Sequence, residues 1–290
     1  MNKLLYISLG DPDYQCDCLL HGFYNLLGEN LTHTDDYYLM YKEHTTPEQL
    51  FNSSGRGFTI WGNLPKYLND KSDIENKIKN KYFDFIVYGS VRRCKDYLNL
   101  VLENYPKNKI AIVDGEDDTL LVKNDGIPYF KRELLYNNLS NVFPISFSIP
   151  QEKILKDTTD IKKIKLLADY IPNACSGSGY VYLNEEEYYN NYKEAYFGLT
   201  HKKGGWDCMR HYEILGNYCM PNFPDLHACP SETMKNFPKS QVLEGNELYN
   251  QNKINDRYYE LLNEVFQYTK THLTTVESAK YVLDTLKKVQ

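Results

Sequence analysis

Apolar and polar positions along the chain fall into blocks whose period keeps changing. Compact apolar runs of strand length occupy residues 3–9 (KLLYISL), 83–90 (FDFIVYGS) and 109–118 (KIAIVDGEDD), the last ending in an acidic turn. Helical spacing fills the gaps, at 16–28, where Gly28 supplies the stop, and at 92–105. Thr46-Pro47-Glu48-Gln49 is a capping box with proline at the first helical position, and Ser72 with Glu75 predicts another helix through Lys81. Residues 57–61 read as a short strand. Strands that are apolar throughout, rather than alternating, belong in a parallel sheet covered by helices on both faces.

A second block follows. Residues 127–135 and 142–154, with Pro144 and Pro150, predict a crossing between two halves. The alternation then restarts: an apolar run at 163–172, a helix opened by Asn184, and a strand at 197–202. The C-terminal stretch is helical, with 256–273 amphipathic and Thr274 and Glu277 capping the last helix. The expected fold class is α/β, with two Rossmann-like domains at residues 1–150 and 151–290, a central cleft and C-terminal helices.

Composition narrows the partners. The 290 residues carry a net charge of −6 with the two signs mixed, so there is no basic arm or stripe, and the expected partner is small rather than a nucleic acid. The 27 tyrosines accompany abundant Asn and Lys and reflect general bias rather than sugar stacking. Seven cysteines show no zinc-type pairing, which predicts free thiols in a reducing compartment. The first apolar run turns polar at Gly10-Asp11-Pro12-Asp13, too early for a signal segment, and no run is long enough to span a membrane. A soluble, cytoplasmic protein is expected.

Candidate chemistry concentrates between Tyr196 and Pro230. Here a strand leads into the basic turn Lys202-Lys203-Gly204-Gly205, and a helix then carries Arg210, His211 and Glu213. Glycines that let the backbone approach an anion, two lysines and a helix N-terminus suit a phosphate. Asp207 is the predicted N-cap and Trp206 a flat wall for a base or sugar ring. Arg210 and the lysines are assigned to a diphosphate and Glu213 to a ribose or sugar hydroxyl; Arg210 and Glu213 could equally pair with each other. His211 is a general acid, a phosphate ligand or a packed residue. Lys239 either reaches the donor or is a surface lysine, the latter reading being favoured.

Elsewhere, Asp114 and Glu116 in DGEDD are candidates for an acceptor-side base, a metal site or a solvated loop. At the first strand–helix junction Asp13 or His21 could serve as base, with Asp11 nearby. No G-x-G-x-x-G follows the first strand, which argues against a dinucleotide enzyme.

The stretch HKKGGWDCMRHYEILGNYCMPNFPD resembles the C-terminal half of GT-B-fold glycosyltransferases, in particular family-1-like and spore-coat glycosyltransferase-like proteins. DGEDD (114–118) and YFKREL (129–134) extend the likeness. The chain departs from the family in two respects: its paired glutamates are incomplete, with Gly205 where the partner of Glu213 would stand, and it is shorter than most GT-B enzymes, which implies that one domain is trimmed. The resemblance implies a metal-independent glycosyltransferase with no cofactor beyond a nucleoside-diphosphate sugar co-substrate bound to the C-terminal domain. The acceptor would be a glycan, a protein or a lipid-linked sugar. The alternatives are a non-catalytic nucleotide-sugar or glycan-binding protein, and a metal-dependent transferase using DGEDD.

Overall fold

A computed structural model describes residues 2–34, 37–53, 57–66, 69–136, 138–169 and 182–289. The chain runs β1 (Leu4–Ile7), α1 (Tyr14–Leu27), β2 (Leu31–His33), α2 (Pro47–Asn52), α3 (Ile74–Lys79), β3 (Phe85–Tyr88) and α4 (Leu98–Asn104). It continues through β4 (Ile110–Asp114), β5 (Tyr129–Lys131), β6 (Val142–Pro144), β7 (Lys165–Leu167), α5 (Glu185–Lys193), β8 (Ala195–Leu199) and α6 (Met209–Gly216). It closes with β9 (Met220–Asn222), α7 (Lys239–Asn250), α8 (Asp256–His272) and α9 (Thr275–Lys288).

Strands β1 to β6 form one six-stranded sheet in the order β2-β1-β3-β4-β5-β6, and β7-β8-β9 form a second sheet. All pairings are parallel, for example Leu4 opposite Phe85 and Phe197 opposite Met220. Alternation along each strand divides the first core in two. Leu4, Tyr6, Phe85 and Val87 face α1 and α9, while Leu5, Ile7, Ile86 and Tyr88 face the layer containing α3 and α4. Burial on both faces explains why these strands read as unbroken apolar runs.

The second sheet packs Phe197 and Met220 against Tyr212 of α6, Val242 of α7 and Leu261, Leu262 and Val265 of α8. Helix α9 then returns to the first sheet, where Ala279, Val282, Leu283 and Leu286 join Leu19 and Phe23. Gly22 makes this crossing close, because a Cβ there would meet the Thr275 carbonyl.

Several expectations need correction. Residues 57–61 are buried but turn rather than extend, with positive φ at Gly57, Thr59 and Gly62. Ser72 does not cap α3; its hydroxyl goes to Asp70, and Asp73 precedes the helix in the left-handed region (φ 56°). The helix expected at 92–105 begins only at Leu98, after Tyr97 (φ 58°), because Arg92 and Arg93 reach into the acidic turn that follows β4. The segments read as a crossing supply β5 and β6, extending the first sheet before the chain leaves it. The caps at Thr46, Asn184 and Thr274 form as expected. Cys16, Cys18, Cys94, Cys208, Cys219 and Cys229 are free thiols, whereas Cys175 and the 170–172 end of the run before α5 lie outside the described residues.

Candidate functional site

The carboxyl ends of the strands of both sheets converge on one cavity of about 210 Å³. Tyr14 at the start of α1, Asp117 after β4 and Phe147 after β6 line it from the first sheet, together with Phe58. Lys203, Gly205, Asp207, Met209, Arg210 and Glu213 line it from the turn and helix after β8. A crevice at the carboxyl ends of parallel strands is where open α/β folds bind ligands, since loops there are free to vary above a rigid sheet.

The turn after β8 is clamped by carboxylates from the first sheet. Glu133, 1% exposed, accepts the backbone N–H groups of Trp206 and Asp207, both at 3.0 Å, and pairs with Arg132 at 3.1 Å. The glycines are needed for this approach. A Cβ on Gly205 would lie 2.5 Å from the Glu133 carboxylate, and one on Gly204 would meet Asp117. Two of the amides expected to face a phosphate are therefore already held by a protein anion. Arg132 is itself buried; it donates to the Gly115 and Asp207 carbonyls, pairs with Asp117 and lies over the Phe147 ring at 4.5 Å. The charged triplet Lys131-Arg132-Glu133 ending an otherwise apolar strand is the signal in the sequence for this cluster, in a segment expected to be a crossing between halves.

Asp207 is not the cap of α6, whose N-cap is Cys208 without a side-chain bond. Its carboxylate instead accepts from the Phe147 N–H at 2.6 Å and the Tyr212 hydroxyl at 2.9 Å, tying α6 to the strand-six loop. Arg210 accordingly stands at the second helical position, one earlier than a cap at Asp207 would place it. Burial pushes Asp207 up to about 6, against the pull of Arg132.

Glu213 is buried, and its two oxygens accept from the hydroxyls of Thr59 and Tyr188, the latter at 2.5 Å. Burial raises its pKa, with the two hydroxyls opposing the shift. His211 is a packed, satisfied residue. Its Nε2–H donates to the Trp206 carbonyl at 2.9 Å and its Nδ1 accepts from Thr200 at 2.8 Å. Burial holds it neutral, with a pKa near 3. Lys202 lies over the Trp206 ring at 5.2 Å, and Lys203 borders the cavity. Lys239 faces away, donating to the carbonyls of Pro230, Ser231 and Thr233.

The four residues considered as bases lie outside the cavity lining. Asp13 caps α1 through the N–H groups of Gln15 and Cys16 and pairs with Arg93. His21 bridges Thr275 and Glu152, both at 2.8 Å, beneath α9. Asp114 is buried among Arg92, Tyr129 and Lys131, and Glu116 pairs with Arg93. Asp11 is exposed. No group of three or more His, Cys, Asp or Glu side chains placed to hold a metal occurs among the described residues, the DGEDD carboxylates being drawn to arginine and lysine. No described helix is long and apolar enough to cross a membrane.

The sequence matches no protein-family model and no curated protein. Solved structures do match the fold. An α-glucosyltransferase in complex with UDP and a 13-mer DNA containing a HMU base superposes with a TM-score of 0.50 at 8% identity, covering 98% of this chain and 99% of that one. An α-glucosyltransferase in complex with UDP and a 13-mer DNA containing a central A:G mismatch gives 0.51 at 10% identity over the same shares. The fold is GT-B. A GT-B chain places its cleft between two parallel sheets, as the converging strand ends do here. Both GT-B neighbours hold DNA, so the exclusion of nucleic acid drawn from net charge does not stand.

Proposed function

We propose that the protein is a glycosyltransferase that moves a sugar from a nucleoside-diphosphate sugar to an acceptor hydroxyl. One observation carries this reading: the cavity at the α6 N-terminus is bordered by Lys203 and Arg210 and lies between the two sheets of a GT-B fold. The UDP in both solved neighbours supports a nucleotide as its occupant. Lys203, Arg210 and the helix N-terminus would stabilise charge developing on the departing diphosphate. The acceptor oxygen bonds to the anomeric carbon while the bond from that carbon to the diphosphate breaks. The electron pair leaves with the diphosphate, which also takes up the hydroxyl proton, because Asp13, His21, Asp114 and Glu116 are engaged elsewhere. Glu213 already holds the Thr59 hydroxyl and would exchange it for a ribose hydroxyl, a like-for-like replacement. The reaction needs no metal in this reading, since a divalent ion at DGEDD would have to displace Arg92, Arg93 and Arg132.

The test is a thermal-shift series with UDP, GDP, ADP, CMP and dTDP, each without and with EDTA. At least one nucleotide should raise Tm, because it binds only the folded chain. The shift should fall sharply in Lys203→Ala and Arg210→Ala. A nucleotide that binds all three proteins equally, or none that binds the wild type, would remove the donor site. Loss of the wild-type shift on adding EDTA would remove the metal-independent form of the proposal.

A further inference from the structure

A second cavity of about 440 Å³ adjoins the first, and Phe58 borders both. Its size falls in the range of about 300–1,000 Å³ usual for small-molecule sites. Three aromatic side chains line it. Phe51 is 43% exposed, Phe58 stacks on Tyr188 with ring centroids 5.6 Å apart, and Trp61 is fixed by donating its indole N–H to Asp17 at 2.8 Å. Between them sit two partly exposed carboxylates, Glu152 with 47% of its side chain accessible and Glu185 with 28%.

The charges decide what such a chamber can hold. Among the described residues lining it, the cations are Lys42 and Lys153, and Lys153 is paired with Glu185 at 2.5 Å. A strand of nucleic acid needs a run of cations to neutralise its phosphates, and two carboxylates facing the cavity oppose them. Uncharged hydroxyls are the opposite case. A carboxylate presents about four lone-pair sites, so Glu152 and Glu185 retain accepting capacity beyond their present partners. Flat apolar ring faces suit the C–H face of a pyranose, as they suit any amphipathic ligand.

Resting on the transferase reading above, we propose that this chamber is the acceptor site and takes an uncharged saccharide, with its ring against Phe51 and Phe58 and its hydroxyls on Glu152 and Glu185.

The experiment uses the full chain with UDP present. Binding of methyl α-glucoside, maltose, cellobiose and lactose is followed by saturation-transfer NMR, and binding of a 13-mer DNA duplex by fluorescence anisotropy at two salt concentrations. At least one saccharide should bind, and its affinity should fall tenfold or more in Phe51→Ala and in Glu152→Gln, with Tm measured on each variant to establish folding. The DNA should not displace the saccharide from this chamber. DNA binding without saccharide binding, or saccharide binding unchanged in folded Phe51→Ala, would overturn the proposal. UDP binding with no saccharide bound would end the acceptor proposal alone. Saccharide binding with no shift from any of the five nucleotides would end the donor reading and leave the chamber as a sugar site.

Discussion

Replacing Glu133 by Gln separates two uses of the backbone amides at the start of α6. In the structure these N–H groups, from Trp206 and Asp207, are taken by the Glu133 carboxylate at 3.0 Å, and Glu133 also pairs with buried Arg132. Glutamine keeps the shape but offers one oxygen, turns an NH₂ toward a donor and removes the charge opposite the guanidinium. Breaking a buried pair from one side costs about 3–5 kcal/mol, and an unsatisfied buried N–H about 1–3 kcal/mol; the two overlap. Arg132 retains Asp117 and the carbonyls of Gly115 and Asp207, which places the expected loss at the lower end, about 3 kcal/mol. That is a large fraction of a stability of about 5–15 kcal/mol. Urea unfolding followed by fluorescence should show the midpoint falling by about 1 M or somewhat less, since the denaturant slope of a 290-residue chain is about 3 kcal/mol/M or more. A variant within about 1 kcal/mol of wild type, but with weakened UDP binding, would show that these amides serve a ligand and that the Glu133 clamp does not hold the turn.

Gly205→Ala should cost about 1–3 kcal/mol, because its Cβ would lie 2.5 Å from a Glu133 that is pinned on three sides, whereas Gly204→Ala meets the more exposed Asp117, which can swing aside. Equal losses at the two positions would refute that contrast. Asp207 has a folded pKa raised to about 6 from 3.8, so between those values the native state binds a proton that the unfolded chain has released. Its contribution therefore makes stability fall as pH rises through roughly 4 to 6, by about 3 kcal/mol in all. The gap between wild type and Asp207→Asn, measured by urea unfolding at each pH, should change by that amount across the window; parallel curves from pH 4 to 8 would refute it. His211→Gln should lower Tm but leave any nucleotide-induced shift in place, since both ring nitrogens are already satisfied by Thr200 and Trp206; loss of the shift would return His211 to the donor site.

Strands β1, β3, β4 and β8, the helices between them and the parallel character of the sheets were legible in the sequence, because fully apolar strands separated by capped helices admit few other arrangements; β2, β5 and β6 were not, being only three residues long each. The turn and helix from Lys202 to Glu213 were legible too, since glycines and lysines before an amphipathic helix have a local meaning. Partners distant in sequence were not. Nothing near Asp114 announces Tyr129 and Lys131 across the sheet, and nothing near Gly205 announces Glu133, yet these contacts decide which carboxylates face the cleft. His211 and Lys239 stayed open between donor ligand and structural residue because a motif shows residue types without their directions; packing turned one toward Trp206 and Thr200 and the other onto the loop at 230–233. Local propensity and periodicity determine which segments become strand or helix. Which charge meets which, and so which side chains are left for a substrate, depends on the tertiary structure, because burial makes each ionic group take the nearest partner regardless of its distance along the chain.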